Sequence, residues 1–344
     1  MSAYPMSPEA LRKRKRTVFV LTALAVAIVL TFIVSMNTGL IRLSPADLLR
    51  TLSGGGTERQ NLILFDFRLS RIVISVLIGM GLAISGAVLQ ALSRNALADS
   101  GIIGINSGAG LVILLFVAFY PTATAAPAYL LPLLAWIGGG FAALLVFTMS
   151  YRRHKGLSPN RLLLNGVAVN AGISAVTIVL SLRINPEQYQ FVLTWMAGSI
   201  WGSNWSLVAA LLPFILVLIP FVFYKARTIN VLGLGIELAT GLGARVSREQ
   251  IVLLAAAVGL ASSCVAVSGN IGFVGLIAPH LARRLVGQRY QALLPAAALA
   301  GALLVLAADT FARWLLQPTE IPTGIVVAVI GAPYFLYLLF RTKK

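Results

Sequence analysis

The sequence has one cysteine, two histidines and ten carboxylates in 344 residues, and each shortage excludes a class of chemistry. Cys264, alone inside an apolar run, can form neither an intrachain disulfide nor a cysteine metal cluster. His154 and His280 do not share metal-ligand spacing, so no metal or other cofactor is expected. None of the six lysines, Lys13, Lys15, Lys155, Lys225, Lys343 and Lys344, completes a Gly-x-x-x-x-Gly-Lys-Ser/Thr loop, so nucleotide binding by that route is excluded. The His, Asp and Glu residues nowhere cluster as a membrane-embedded enzyme would need. An ion-coupled carrier, the main alternative function, would need carboxylates at mid-membrane depth. The nearest candidate, Asp309, has Arg313 four residues on along the same helical face, which reads as a structural or docking pair. His280 follows Pro279 and reads as a packing residue hydrogen-bonded to backbone that the proline frees.

What is abundant is apolar sequence: 58% of residues are hydrophobic and only 11% are charged. Runs of about 18 or more apolar residues, each enough to cross the hydrocarbon layer, recur along the chain. They predict an all-α polytopic membrane protein of about ten transmembrane helices, near 17–36, 70–93, 102–120, 128–150, 161–183, 206–224, 249–267, 271–287, 292–315 and 321–340. Gly269, Gly272, Gly275 and Pro279 interrupt and shorten the eighth. The run from Val18 to Met36 exceeds a signal-peptide core and lacks a polar cleavage region, so it reads as a retained helix. Residues 1–344 form one transmembrane domain, with a basic tail at 1–16 and a polar loop at 225–249.

The net charge of +17 is loop charge, not one basic face interleaved with aromatics, so no nucleic-acid partner is expected. With the N-terminus inside, twenty of the 27 basic residues fall on the cytoplasmic side: Arg12 to Arg16, Arg94, Arg152, Arg153, Lys155, Arg161, Lys225, Arg227, Arg245, Arg248, Arg283, Arg284, Arg289, Arg341, Lys343 and Lys344. Glu9, Asp99, Glu237 and Glu249 are the acids assigned to that side. Both termini are then cytoplasmic. Gly259-Leu260-Ala261-Ser262-Ser263 echoes Gly81-Leu82-Ala83-Ile84-Ser85 five spans earlier, the pattern of an inverted repeat or simply of close helix packing. Trp195, Trp201 and Trp205 read as an interfacial aromatic belt.

Five stretches resemble the permease subunits of ABC importers for iron-siderophore complexes, haem and cobalamin, the FecCD-type family. They are residues 67–110 (FRLSRIVISVLIGMGLAISGAVLQALSRNALADSGIIGINSGAG), 195–202 (WMAGSIWG), 232–246 (LGLGIELATGLGARV), 268–287 (SGNIGFVGLIAPHLARRLVG) and 321–339 (IPTGIVVAVIGAPYFLYLL). The resemblance implies a type II importer-like fold of ten helices per subunit. It also implies a second permease subunit, identical or paralogous, two cytoplasmic ATPase subunits that hold the nucleotide chemistry, and an extracytoplasmic substrate-binding protein. An iron(III)-siderophore or similar chelate would be carried through the bacterial cytoplasmic membrane by alternating access. The chain departs from the family pattern at Ser70, Ala96, Ser100 and Asn270, where prolines are usual.

Residue roles follow from matching positions. Arg68 and Arg71, three apart and so on one helical face, and Arg313 correspond to outer arginines that dock the binding protein; headgroup snorkelling is the rival reading. Gly235, Glu237, Ala239, Leu242 and Gly243 fall in a glycine-bounded helix resembling the element that couples to the ATPase, with Ala239 expected to permit close approach and Leu242 to supply apolar contact. Gln90, Asn95, Asn106 and Ser107 lie in regions near the family's pathway and are its candidates here, with tight packing the alternative.

Overall fold

A computed structural model describes residues 8–38, 50–51, 54–120, 130–152, 156–315 and 320–341; His154, Arg153, Lys155, Lys343, Lys344 and residues 1–7 of the basic tail lie outside them. Thirteen helices make up the described chain: α1 (Pro8–Asn37), α2 (Glu58–Ser93), α3 (Ile105–Phe119), α4 (Leu130–Ser150), α5 (Pro159–Ser181), α6 (Pro186–Met196), α7 (Trp205–Tyr224), α8 (Ala226–Gly233), α9 (Ile236–Gly241), α10 (Val246–Ser268), α11 (Val274–Val286), α12 (Tyr290–Leu315) and α13 (Thr323–Arg341). Seven are long and apolar enough to cross a membrane, α3 and α13 are shorter apolar helices, and the thirteen-residue α11 stands where the short eighth crossing was expected. A two-residue antiparallel ladder, Tyr151–Arg152 with Gly156–Leu157, closes the turn between α4 and α5. It is tied to α10, where the Gln250 side-chain oxygen accepts from Leu157 N–H at 3.3 Å.

The centre of the bundle is α2, which packs on α7, α10, α11 and α12. Its glycines make that possible. A Cβ on Gly79 would stand 2.2 Å from the Gly301 carbonyl oxygen of α12, and one on Gly86 would stand 2.0 Å from the Gly275 carbonyl oxygen of α11. The two are seven residues apart, so a single face of α2 receives both neighbours backbone to backbone, where dispersion replaces the absent hydrophobic drive. The echoed Gly-Leu-Ala motifs also meet: Ser85 Oγ donates to the Ala257 carbonyl at 2.7 Å, and Gly81 lies under the Cys264 sulfur. The outward faces of α1, α4, α5 and α7 stay apolar and exposed, including Phe19, Leu30, Phe141, Leu164, Val179 and Leu216, as lipid-facing surfaces require.

Two local features break regular helix. Residues Leu62–Leu69 of α2 are wound as π-helix, which shifts side-chain phase relative to a regular helix. Ahead of α11, Gly269 at φ 65° and Phe273 at φ 66° are left-handed, so the eighth crossing enters as irregular chain before its helix begins. For a bulky residue such as Phe273 this conformation is strained and needs surroundings that hold it.

Candidate functional site

At the end of the bundle where α2 begins, a network of charges joins α1, α2, α12 and the approach to α13. Asp309, at 0% exposure, receives Arg71 Nε at 3.0 Å and Nη2 at 2.9 Å on Oδ1, with Thr323 Oγ1 at 3.1 Å. Its Oδ2 receives Arg313 Nε at 3.2 Å. Arg71 Nη1 reaches the exposed Glu320 at 2.7 Å. Arg313 also donates to the Thr38 carbonyl at 2.9 Å and to Ser35 Oγ at 2.5 Å on α1. Arg68 Nη1 donates to the Met36 carbonyl at 2.5 Å.

The three arginines are thus buried, at 6%, 8% and 5% exposure for Arg68, Arg71 and Arg313. Arg68 reaches α1 and Arg71 reaches Asp309 of α12, and Arg313 bridges the two helices between them. Asp309 and Arg313 do pair, four residues apart as expected, but Asp309 serves two arginines at once.

At the level of Gly86, the break before α11 is surrounded by three of the stretches singled out in the sequence. Ser199 N–H donates to the Ser268 carbonyl at 2.9 Å, and Gly324 N–H donates to the Gly198 carbonyl at 2.8 Å. Backbone from 197–203, 268–273 and 322–325 is therefore stitched together, which satisfies irregular chain inside the bundle. Asn106, 9% exposed, donates to Asn270 Oδ1 at 2.5 Å, a bond that proline at position 270 could not accept by side chain. Ser107 Oγ donates to the Gly104 carbonyl at 3.0 Å.

Gln90 lies between helices rather than on an open path. Its amide nitrogen donates to the Gly275 carbonyl at 3.2 Å and its oxygen accepts from Arg283 at 3.3 Å. Asn95 accepts from Leu97 N–H at 2.9 Å in the turn after α2.

Asp99 was assigned to the loops by sequence. Its carboxylate accepts Ser100 N–H at 2.8 Å, lies within hydrogen-bonding reach of Phe273 N–H, and abuts Gly275, some two turns inside the end of α2. His280 is corrected. Among the described residues neither ring nitrogen has a hydrogen-bond partner, and the ring packs edge-on against Tyr334 at 6.0 Å, because α11 passes Pro279 without opening. The tryptophans divide: Trp201 is exposed, Trp205 donates to the Phe65 carbonyl at 3.1 Å, and Trp195 packs on the core.

At the opposite end, α9 forms where a glycine-bounded helix was expected. Gly235 at φ 115° and Gly243 at φ 81° supply left-handed turns that a side chain would strain. Leu238 and Leu242 are 62% and 67% exposed, whereas Ala239 is at 0%. Ala239 therefore seats the helix on its own chain, and the outward face is Leu234, Ile236, Leu238 and Leu242, with Glu237 exposed beside them. Next to it opens a cleft of about 500 Å³ lined by Arg227, Arg245, Arg248 and Leu242. Lys225 and Glu249 pair at 2.8 Å at its edge.

Seven spanning helices and further shorter ones, one entered through irregular chain held by backbone bonds, with a buried charge network at one end and an exposed apolar helix at the other, define a multispanning membrane permease. The chain belongs to the FecCD transport family, whose family model matches residues 27–341. It is 45% identical over 335 residues to the iron(3+)-hydroxamate import system permease protein FhuG of Bacillus subtilis, covering 96% of this chain and 99% of that one. It is 37% identical over 329 residues to the hemin transport system permease protein HmuU of Yersinia pestis, covering 93% and 95%. A solved inward-facing structure described as a metal-chelate type ABC transporter superposes with a TM-score of 0.83 at 31% identity, covering 94% of this chain and 99% of the other. The protein is accordingly a transmembrane permease of an ABC importer.

Proposed function

We propose that the chain moves an iron(III)-siderophore or similar metal chelate inward across the bacterial cytoplasmic membrane. It does so with a second permease subunit, two cytoplasmic ATPases and an extracytoplasmic binding protein. The observation that carries the energetic part is α9: four apolar side chains held outward by two left-handed glycines beside an arginine-lined cleft, a surface shaped for a protein partner. Its basic surroundings and the positive-inside rule support a cytoplasmic position, with both termini on that side. The chelate class is supported by the relatives, which are named for ferric hydroxamate and hemin. An ion-coupled carrier is less well supported, since Asp309, at 0% exposure within the apolar bundle, is already held by two arginines.

Reconstituted vesicles test this directly. Uptake of a ferric hydroxamate is expected only when ATP, ATPase and binding protein are present, and accumulation by the permease alone would overturn the proposal. Within that assay, Leu238→Asp and Leu242→Asp should each cut coupled uptake at least about tenfold, because each puts a charge into an apolar contact worth about 1–3 kcal/mol. Detergent-extracted protein should remain folded, since both side chains already face outward. Normal uptake in both variants would remove α9 from the coupling interface.

Docking of the binding protein draws on Arg71, Arg68 and Arg313 in this proposal, with Glu320 occupying the position a partner carboxylate would take on Arg71. Glu320→Gln removes that competitor. Association with the binding protein is expected to strengthen by about two- to fivefold, the range for a solvated ion pair. Weakened or unchanged association, measured by titration on detergent-purified complex, would argue against docking through Arg71.

A further inference from the structure

The starts and ends of three helices converge at the basic end of the bundle. Arg16 of α1 donates from Nη2 to the Arg284 carbonyl at 2.9 Å, in the last turn of α11. Arg284 lies with its guanidinium carbon 5.7 Å from the centre of the Tyr337 ring of α13. Arg283, beside it, reaches back to Gln90 at 3.3 Å. Arg12, Lys13, Arg14 and Lys15 continue the charge along α1, all exposed. Among the described residues the acid in this segment is Glu9, 4.0 Å from Lys13, with both side chains more than 80% exposed.

Capping a helix end explains why Arg16 meets a carbonyl, because the C-terminus of a helix favours a cation. It does not explain the crowding. The last turn of α11 already carries Arg283 and Arg284, and Arg16 adds a third guanidinium from another helix. Several cations gathered at one helix end favour an anionic partner there.

The surface just inside the cations has a different character. Phe19 lies three residues beyond Arg16, and Leu281 three residues before Arg284, so each is on the same helical face as its cation and one turn deeper. Both are exposed, as is Tyr337. A cationic rim over an exposed apolar wall at the end of membrane-crossing helices matches one occupant in particular, a lipid whose head is anionic and whose tail is hydrocarbon. A soluble phosphate would use the rim and leave the wall bare; an acidic protein would use neither Phe19 nor Leu281 at bilayer depth.

We infer that the junction of α1, α11 and α13 is a binding site for the headgroup of an anionic phospholipid, held by Arg16 and Arg284 with its acyl chains along Phe19 and Leu281. The site answers the cationic rim and ties α11 to α1 and α13. Neither docking nor ATPase coupling uses it.

The test uses the purified complex, delipidated and returned to nanodiscs or detergent with defined lipid. Phosphatidylglycerol should raise the melting temperature, and phosphatidylcholine or inorganic phosphate should not. Arg16→Gln with Arg284→Gln should weaken phosphatidylglycerol retention, read by native mass spectrometry, by about fivefold per guanidinium removed. Arg16→Lys, which keeps the charge, should retain most of it. If the double variant does not fold, Phe19→Ser with Leu281→Ser removes the wall and leaves the cations, and should lower retention as well. Equal stabilisation by phosphatidylcholine or phosphate, unchanged retention in the variants, or loss of ATPase association with retention intact would each overturn the assignment.

Discussion

Replacement of Asp309 by alanine is expected to lose about 3–5 kcal/mol, the typical cost of removing one partner from a buried ion pair. The size follows from the geometry. One carboxylate at 0% exposure accepts from Arg71 through two nitrogens, from Arg313 and from Thr323, so its removal takes the carboxylate from two buried guanidinium groups together. Glu320 would continue to hold Arg71 from one side, and the Ser35 and Thr38 oxygens would continue to hold Arg313. Those contacts solvate the cations without neutralising both. Asp309→Asn keeps the shape and some acceptor capacity, so its loss should be smaller. Glu320→Gln, at an exposed position, should change stability by well under about 1 kcal/mol. Melting of detergent-purified protein orders the three. Equal stability of Asp309→Ala and the parent would show that the arginines do not depend on this carboxylate.

Gly86→Val is expected to be as damaging by a different route. A Cβ there would stand 2.0 Å from the Gly275 carbonyl oxygen and 2.4 Å from Gly275 Cα, and backbone cannot rotate away as a flexible side chain can. Helices α2 and α11 would have to separate, and Gln90, whose amide bonds the Gly275 carbonyl from the same face of α2, would lose its partner. Overpacking of this kind costs about 1–3 kcal/mol in ordinary cores and more where no side chain can give way. Gly233→Ala makes a matched control, since nothing lies within 4 Å of its added Cβ. The expected result is a monodisperse, transport-competent control and an aggregated or degraded Gly86→Val, read by fluorescence-detected size exclusion. Wild-type behaviour of Gly86→Val would mean that the two backbones are further apart than described.

These two sites also mark how far the sequence could be read. Helix positions were legible because hydrocarbon imposes a length and a composition on every crossing; each apolar run became a helix, though α1 and α2 begin nine and twelve residues ahead of their predicted spans. The pair Asp309 and Arg313 was legible because four residues bring side chains together on any helix. Arg71 and Asp309 are 238 residues apart, and nothing local signals their meeting. Glu320 was missed for the same reason.

Exposure was the other blind spot. Ala239 in α9 and Leu242 at its end sit three apart, yet one is sealed and the other open, because the face on which α9 rests is set by α8 and α10 rather than by its own pattern. Asp99 does lie in the loop after α2, where polarity usually marks the surface. Here a capping carboxylate follows the chain inward to meet Phe273 and Gly275. The family motifs located the region around the break before α11, and only the fold revealed that 197–203 and 322–325 close over it.

The thirteen residues of α11 rise only about 20 Å, short of the roughly 30 Å of hydrocarbon, and carry Pro279 and His280 within them. Such a segment is a poor candidate to leave the translocon by itself. Its retention in the bilayer would await α2 already in place and α12 following, so biogenesis of this chain should pass through a late step in which one stretch is threaded between neighbours, and in nascent chains long enough to release α11 but not α12 a cysteine introduced at Ala278 should remain accessible to aqueous thiol reagents.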